Sequence, residues 1–203
     1  MIDDTSERRA VMAWRREERA RLIAARIALP VAEHRASSLK IEMRLEALFD
    51  TLPAKRIGFY WPFRREFDPV PLMRKLIAAG RDAALPVVIK KNASLEFRTW
   101  HPGTKMDLGV YDIPYPAAGA AVAPDALLVA MVGFDRQGYR LGYGGGYYDR
   151  SLAALAPRPL AIGICFALGE LASIQPLPHD IPMDHVVTES MAARRGPTRL
   201  TNT

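Results

Sequence analysis

Two stretches of this chain, DALLVAMV at 125–132 and PLAIGICF at 159–166, are apolar almost without interruption. A strand with one wet face alternates apolar and polar residues. A strand covered on both faces does not, and such strands belong to parallel sheets with helices packed above and below. The rest of the chain agrees. Strand-like segments at 56–61, 83–89 and 95–100, and a last one near 185–188, alternate with helical patterns. Asp68–Pro69 and Gly80 bracket the run VPLMRKLIAA as a start signal and a stop signal for a helix. A short helix near 168–172 is expected as well. The fold expected is α/β: a mostly parallel, Rossmann-like three-layer sheet with helices on both faces and an N-terminal helical segment.

That segment reads as two helices. Residues 6–28 are rich in arginine, with an imperfect apolar face running through Val11, Trp14, Leu22, Ala25 and Leu29; Pro30 interrupts it, and 32–49 is amphipathic. One domain over 1–190 is expected, with residues 1–50 packed on it as helices. The last thirteen residues, MAARRGPTRLTNT, read as a loose tail over 191–203.

The formal charge is +6, concentrated in residues 50–110, which carry eleven basic and six acidic groups. This suggests an anionic partner without choosing one. A single cysteine, Cys165, excludes an internal disulfide and a cysteine-based zinc cluster. It reads as a buried core residue rather than a nucleophile. The N-terminus has no apolar signal core, and no apolar run approaches the ~20 residues of a membrane span. A cytoplasmic monomer with no membrane partner is expected.

Between the two apolar runs lies GFDRQGYRLGYGGGYYDR, residues 133–150, which leads into a helix expected near 146–155. It holds six of the 14 glycines, and four of the seven tyrosines lie in or beside it. A strand, a glycine loop and a helix N-terminus in succession can present backbone N–H groups to a phosphate. Arg140 and Arg150 add charge-assisted donors, Tyr147 and Tyr148 bring aromatic faces, and Asp149 could hold Mg²⁺ beside phosphates. There is no G-K-[ST], and Tyr147 stands where a dinucleotide fingerprint starting at Gly142 needs its third glycine. A plain structural turn remains open on glycine content alone.

RLGYGGGYYDR closely resembles the signature of the 5-formyltetrahydrofolate cyclo-ligase (methenyltetrahydrofolate synthetase) family. Further landmarks stand in the family's order: a basic first helix, YWP at 60–62, Glu66 with Asp68, FRTWHPG at 97–103 and HDIPMD at 179–184. The resemblance implies ATP- and Mg²⁺-dependent conversion of 5-formyltetrahydrofolate to 5,10-methenyltetrahydrofolate, with release of ADP and phosphate. It also implies roles. Arg15 and Arg19 match a basic pair on ATP phosphates, with the register of that pair open. Arg140, Gly142, Tyr143, Gly144, Gly145, Gly146 and Tyr148 match the nucleotide loop. Tyr60, Glu66, Trp100 and Tyr147 match the folate side. Asp149 and Asp180 match magnesium ligands, and Arg140, Tyr147 and Asp149 stand closest to the chemistry. The folate's glutamate tail, where present, is expected on Arg64, Arg65, Lys90 and Lys91.

Two positions depart from the family pattern: Tyr115–Pro116 replaces the usual Glu-Pro, and Val129–Ala130 the usual Val-Pro. They leave open a paralogue with the same ATP site and another substrate. A different class of reading, an RNA-binding module using its Gly/Tyr/Arg segment, is disfavoured because that segment occurs once, between a buried strand and a helix. No nucleic-acid partner is expected.

Overall fold

A computed structural model describes residues 4–197 and 199–202. In chain order the elements are α1 (Asp4–Ala28), α2 (Val31–Thr51), β1 (Arg56–Gly58), α3 (Val70–Ala78), β2 (Asp82–Val87), β3 (Glu96–Trp100), β4 (Met106–Leu108), β5 (Pro114–Pro116), β6 (Ala126–Ala130), β7 (Gly133–Asp135), β8 (Arg140–Leu141), α4 (Tyr147–Ala154), β9 (Leu160–Ile164), β10 (Glu170–Leu171), β11 (His185–Val187), β12 (Ala192–Arg195) and β13 (Leu200–Asn202). The two apolar runs are β6 and β9, and they pair in parallel at the centre of the main sheet. The helix bracketed by Asp68 and Gly80 forms as expected. The Asp68 carboxylate accepts the Val70 N–H at 2.9 Å, and Gly80 leaves the helix with φ +88°. The short helix expected near 168–172 is a single 3₁₀ turn at Ala167–Gly169.

The main sheet has strand order β13-β12-β11-β9-β6-β1-β2-β3. Its five central strands, β11 to β2 in that order, are parallel. Both edges are antiparallel: β3 on one side, β12 and β13 on the other. The sheet is therefore mixed. Consecutive residues of the central strands face opposite layers. Leu128, Ile162 and Val187 pack with Ile41, Leu45 and Phe49 of α2 and Leu72 and Met73 of α3. Leu127, Val129, Ala161 and Val186 pack on the other face with Leu152 of α4.

The loose tail expected over 191–203 is not what the described residues form. Residues 192–195 and 200–202 make an antiparallel hairpin on the β11 edge, turning at Gly196–Pro197. Ala193 and Leu200 are buried against the core, and the Leu200 N–H donates to Arg136 O at 2.7 Å. These contacts, the half-buried Ala192 and the ladder hold a segment whose Arg194, Arg195, Thr201 and Asn202 are exposed.

From β1 the chain runs through α3 to β2 on one side, then returns to place β6 on the other side of β1. Strand order reverses between β1 and β6. In open α/β sheets the crevice beyond the carboxyl ends of the strands at such a reversal is where ligands bind.

Candidate active site

Beyond the carboxyl ends of β1, β6 and β9 lies a small cavity of about 10 Å³, lined by Arg26, Tyr60, Glu66, Phe67, Met131, Ile164, Cys165 and Phe166. Outside it, between α1 and the glycine loop, is an open groove of about 650 Å³. Arg8, Arg9, Met12, Ala13, Arg16, Arg19, Tyr143 and Gly144 line it. Four arginines and no carboxylate give this groove one sign of charge.

The loop is shaped for close approach of backbone. Gly144 and Gly146 take φ +90° and +65°, and Gly146 opens α4. The Arg19 Nε donates to Gly142 O at 2.6 Å, fastening the loop to α1. Burial and the neighbouring Arg15 both lower the Arg19 pKa. The tyrosines do not form an exposed stacking surface. Tyr147 and Tyr148, the first two residues of α4, pack on the core, and Tyr139 packs against the cluster around Leu22.

Arg15 does not line the groove. It turns inward, donating to Ile174 O at 3.0 Å, to Gln175 O at 2.9 Å, and to the Asp180 carboxylate at 2.5 Å. Burial alone would raise the Asp180 pKa; the Arg15 guanidinium and the Leu177 N–H hold it below the usual carboxylate range. Arg140 pairs with Asp149 at 2.6 Å and donates to Ile181 O at 2.9 Å, while Asp149 accepts the Ile181 N–H at 3.0 Å. Two ion pairs thus clasp residues 180–181 from either side, with little of any of the four side chains in solvent.

The carboxylates differ in what they can still accept. Asp180 Oδ2 already takes two donors, Arg15 and the Leu177 N–H at 2.6 Å. Each oxygen of Asp149 takes one of the donors just described and keeps a lone pair. Asp180 Oδ1 takes only the Arg15 Nη1 at 3.4 Å, so a hard cation carried on phosphates finds an open position on each oxygen of Asp149 and on one oxygen of Asp180. Among the described residues no three His, Cys, Asp or Glu side chains converge to hold a metal.

Glu66 is buried. Its Oε1 accepts the Tyr143 hydroxyl at 2.7 Å, and its Oε2 accepts the Phe63 N–H at 2.9 Å. Burial raises its pKa; Tyr143, Arg26 and the Phe63 N–H oppose this without cancelling it. Arg26 Nη2 donates to the same tyrosine hydroxyl at 2.6 Å. The turn that carries Glu66 has φ +48° at Arg64 and +57° at Arg65. It is stapled to the junction of α1 and α2: Arg26 donates to Arg64 O, His34 Nε2 meets Arg65 O, and Arg65 donates to Ile27 O and Leu29 O. Arg65 is therefore committed to the end of α1 and is not presented for a glutamate tail. Beside Glu66, the Tyr60 hydroxyl donates to Phe67 O at 3.0 Å.

Trp100 departs from its expected place. It is 5% exposed and meets Phe59 edge-on at 5.1 Å within the main core, lining neither cavity. Tyr115 sits in the β4–β5 ribbon and lines neither cavity either. Burial pushes the Cys165 thiol up to about 12, as suits a core residue. Sequence reasoning passed over Arg26 and Phe63, and over Arg8, Arg9 and Arg16. Positions 8, 12, 16 and 19 share one helical face with the groove, a spacing that could have found the last group.

A family model described as the 5-formyltetrahydrofolate cyclo-ligase family matches residues 11–189. The chain belongs to that family. The cyclo-ligase of Escherichia coli K12 is 32% identical over 146 residues, covering 68% of this chain and 79% of the relative. That of Haemophilus influenzae is 27% identical over 188 residues, covering 89% and 96%. The NMR structure of Aquifex aeolicus 5,10-methenyltetrahydrofolate synthetase is similar with a TM-score of 0.79 at 29% identity, covering 93% of this chain and 96% of that one. A Mycoplasma pneumoniae 5,10-methenyltetrahydrofolate synthetase follows at 0.69 and 25%, covering 86% and 98%. This cyclo-ligase-family chain has, among its described residues, no helix long and apolar enough to cross a membrane.

Proposed function

We propose that this chain closes 5-formyltetrahydrofolate to 5,10-methenyltetrahydrofolate at the expense of ATP. The observation that carries the reading is the glycine loop, which forms one wall of an arginine-lined groove and reaches with Tyr143 to a buried carboxylate at the sheet's switch point. The groove takes the triphosphate, with Arg19 and the loop backbone as donors. Glu66 accepts hydrogen bonds from the amino and ring N–H groups of the pterin, with Tyr60 beside it.

The chemistry needs a better leaving group than a formyl oxygen. That oxygen, pushed by the N5 lone pair, attacks the γ-phosphorus, the bond from that phosphorus to ADP breaks, and a phosphorylated iminium forms at N5. N10 then attacks the formyl carbon and loses its proton, and the C–O electrons depart with phosphate, leaving the methenyl bridge. Positioning and charge neutralisation carry such transfers. Bound on the phosphates, magnesium would supply part of that neutralisation, and Asp149 would hold it. Arg140 keeps Asp149 in place, and Tyr147 opens the helix above it.

The test mixes purified protein with Mg-ATP and 5-formyltetrahydrofolate and follows the methenyl chromophore together with ADP. Growth of both in equal amounts is expected. ATP consumption that does not depend on the folate sinks the reading. A second measurement addresses the loop. A Cβ at Gly142 meets no atom within 4 Å, and its φ is not in the left-handed region. Gly142→Ala should therefore melt with the parent protein yet bind ATP at least roughly tenfold more weakly, because the added methyl stands where phosphate approaches, at about 1.4 kcal/mol per tenfold. Unchanged ATP affinity removes Gly142 from the phosphate site.

A further inference from the structure

Tyr143 belongs to both cavities at once. Its ring, 38% exposed as a residue, walls the arginine groove beside Gly144, while its hydroxyl reaches the carboxylate that lines the inner cavity. Arg26 and Glu66 stand 3.8 Å apart, and the hydroxyl lies between them, 2.6 Å from one and 2.7 Å from the other. A phenol has one proton. Arg26 can only donate, so the phenol proton is directed onto Glu66 Oε1. Phe63 occupies Oε2 through its N–H, and its ring lies against the Tyr143 ring, 5.9 Å between centroids. Both oxygens of Glu66 are thus engaged by groups gathered around one tyrosine.

The same tyrosine lies in a segment that is also tethered to α1 by the Arg19–Gly142 bond at 2.6 Å. Phosphates seated in the groove draw on Arg19 and on the backbone of 142–144. A ligand that competes for Arg19 loosens the segment that delivers the Tyr143 hydroxyl to Glu66. A ligand shifts such an equilibrium only through contacts that differ between the two arrangements, and here they differ at Arg19 and at Glu66.

We propose that Tyr143 couples the two substrate sites: with the groove empty its hydroxyl holds Glu66, and nucleotide in the groove releases that carboxylate for the folate. The inference rests on the assignment of nucleotide to the groove and folate to Glu66. It makes Tyr143 a positioning residue, acting through Glu66 rather than on the reacting atoms. Binding of the two substrates is then mutually reinforcing, by the same factor in either direction.

Calorimetric titration tests this with 5-formyltetrahydrofolate and a non-hydrolysable ATP analogue plus Mg²⁺. In the parent protein the analogue should tighten folate binding by roughly fivefold or more, the lower end of typical coupling, and folate should tighten the analogue equally. Tyr143→Phe keeps the ring against Phe63 and removes the hydroxyl. It should bind folate without nucleotide about as tightly as the parent does with it, and its coupling should fall to within about twofold. The reciprocal measurement needs no variant, so the parent alone can refute the proposal by showing no coupling. Undiminished coupling in Tyr143→Phe refutes it as well and leaves both site assignments standing. Failure of the parent to bind either ligand overturns those assignments and the coupling with them.

Discussion

Arg140→Ala should lower stability by about 3–5 kcal/mol, the cost of leaving one member of a buried ion pair alone. For a chain of this length that is a fall of roughly 6–20 °C in the melting temperature. The Arg140 side chain is 6% exposed and its Asp149 partner 16%, so water cannot replace the lost guanidinium. The same substitution removes the donor to Ile181 O and frees residues 180–181 on that side. Turnover should collapse at temperatures where the variant is still folded, because Asp149 is no longer held. Thermal melts of Arg140→Ala, Asp149→Ala and the double variant form a cycle. The double variant should lose less than the sum of the two, since it buries no orphaned charge. Strict additivity would show that the pair contributes nothing as a pair.

Glu66→Gln should leave the fold intact and cut kcat/KM by roughly 10–150-fold, the range spanned by a hydrogen bond to a charged group. The amide has the same shape but a single acceptor oxygen, so it can accept from Tyr143 or from the Phe63 N–H but not from both, and it presents a weaker acceptor to the pterin. A second signature follows from the raised pKa of the native carboxyl. The folded state takes up a proton more readily than the unfolded chain. The stability that Glu66 gains from protonation is fully present below the unfolded-state pKa and is lost as pH rises through the raised native value. Melts of the parent and the Gln variant, compared across that window, should diverge in the parent's favour on acidification. Parallel curves would mean that Glu66 is not a buried titrating group.

The central sheet and the glycine loop are legible in the sequence because each leaves a local mark. An unbroken apolar run needs cover on both faces, and glycines crowded between a strand and a helix need a reason. The face that α1 buries leaves no such mark. Apolar spacing selects Val11, Trp14, Leu22, Ala25 and Leu29; of these Leu22 is buried, and Arg15, Ile23 and Arg26 are buried with it instead of the others. The acceptors that make this favourable, around 143 and 174–180, are more than a hundred positions away in the chain. Trp100 was placed with the ligand by resemblance, but the end of an edge strand lying over Phe59 is ordinary core. The C-terminal hairpin could have been read from Gly196–Pro197 between two short alternating segments. Its arginines gave it the texture of a tail instead.

The C-terminal hairpin and the first helix reach the glycine segment from opposite ends of the chain. The Leu200 N–H fastens Arg136 O and Arg195 Nε fastens Gln137 O, both at the start of the glycine segment. The helix made first, α1, finds its partners at Gly142, Tyr143 and Asp180. Domains generally fold as units as they emerge, but here the first-made helix must wait. Until residues 174–180 have left the ribosome, Arg15 has none of the acceptors that bury it in the folded chain. Arg15 is thus without its buried partners for most of translation, while Arg26 can meet Arg64 O and Glu66 much earlier.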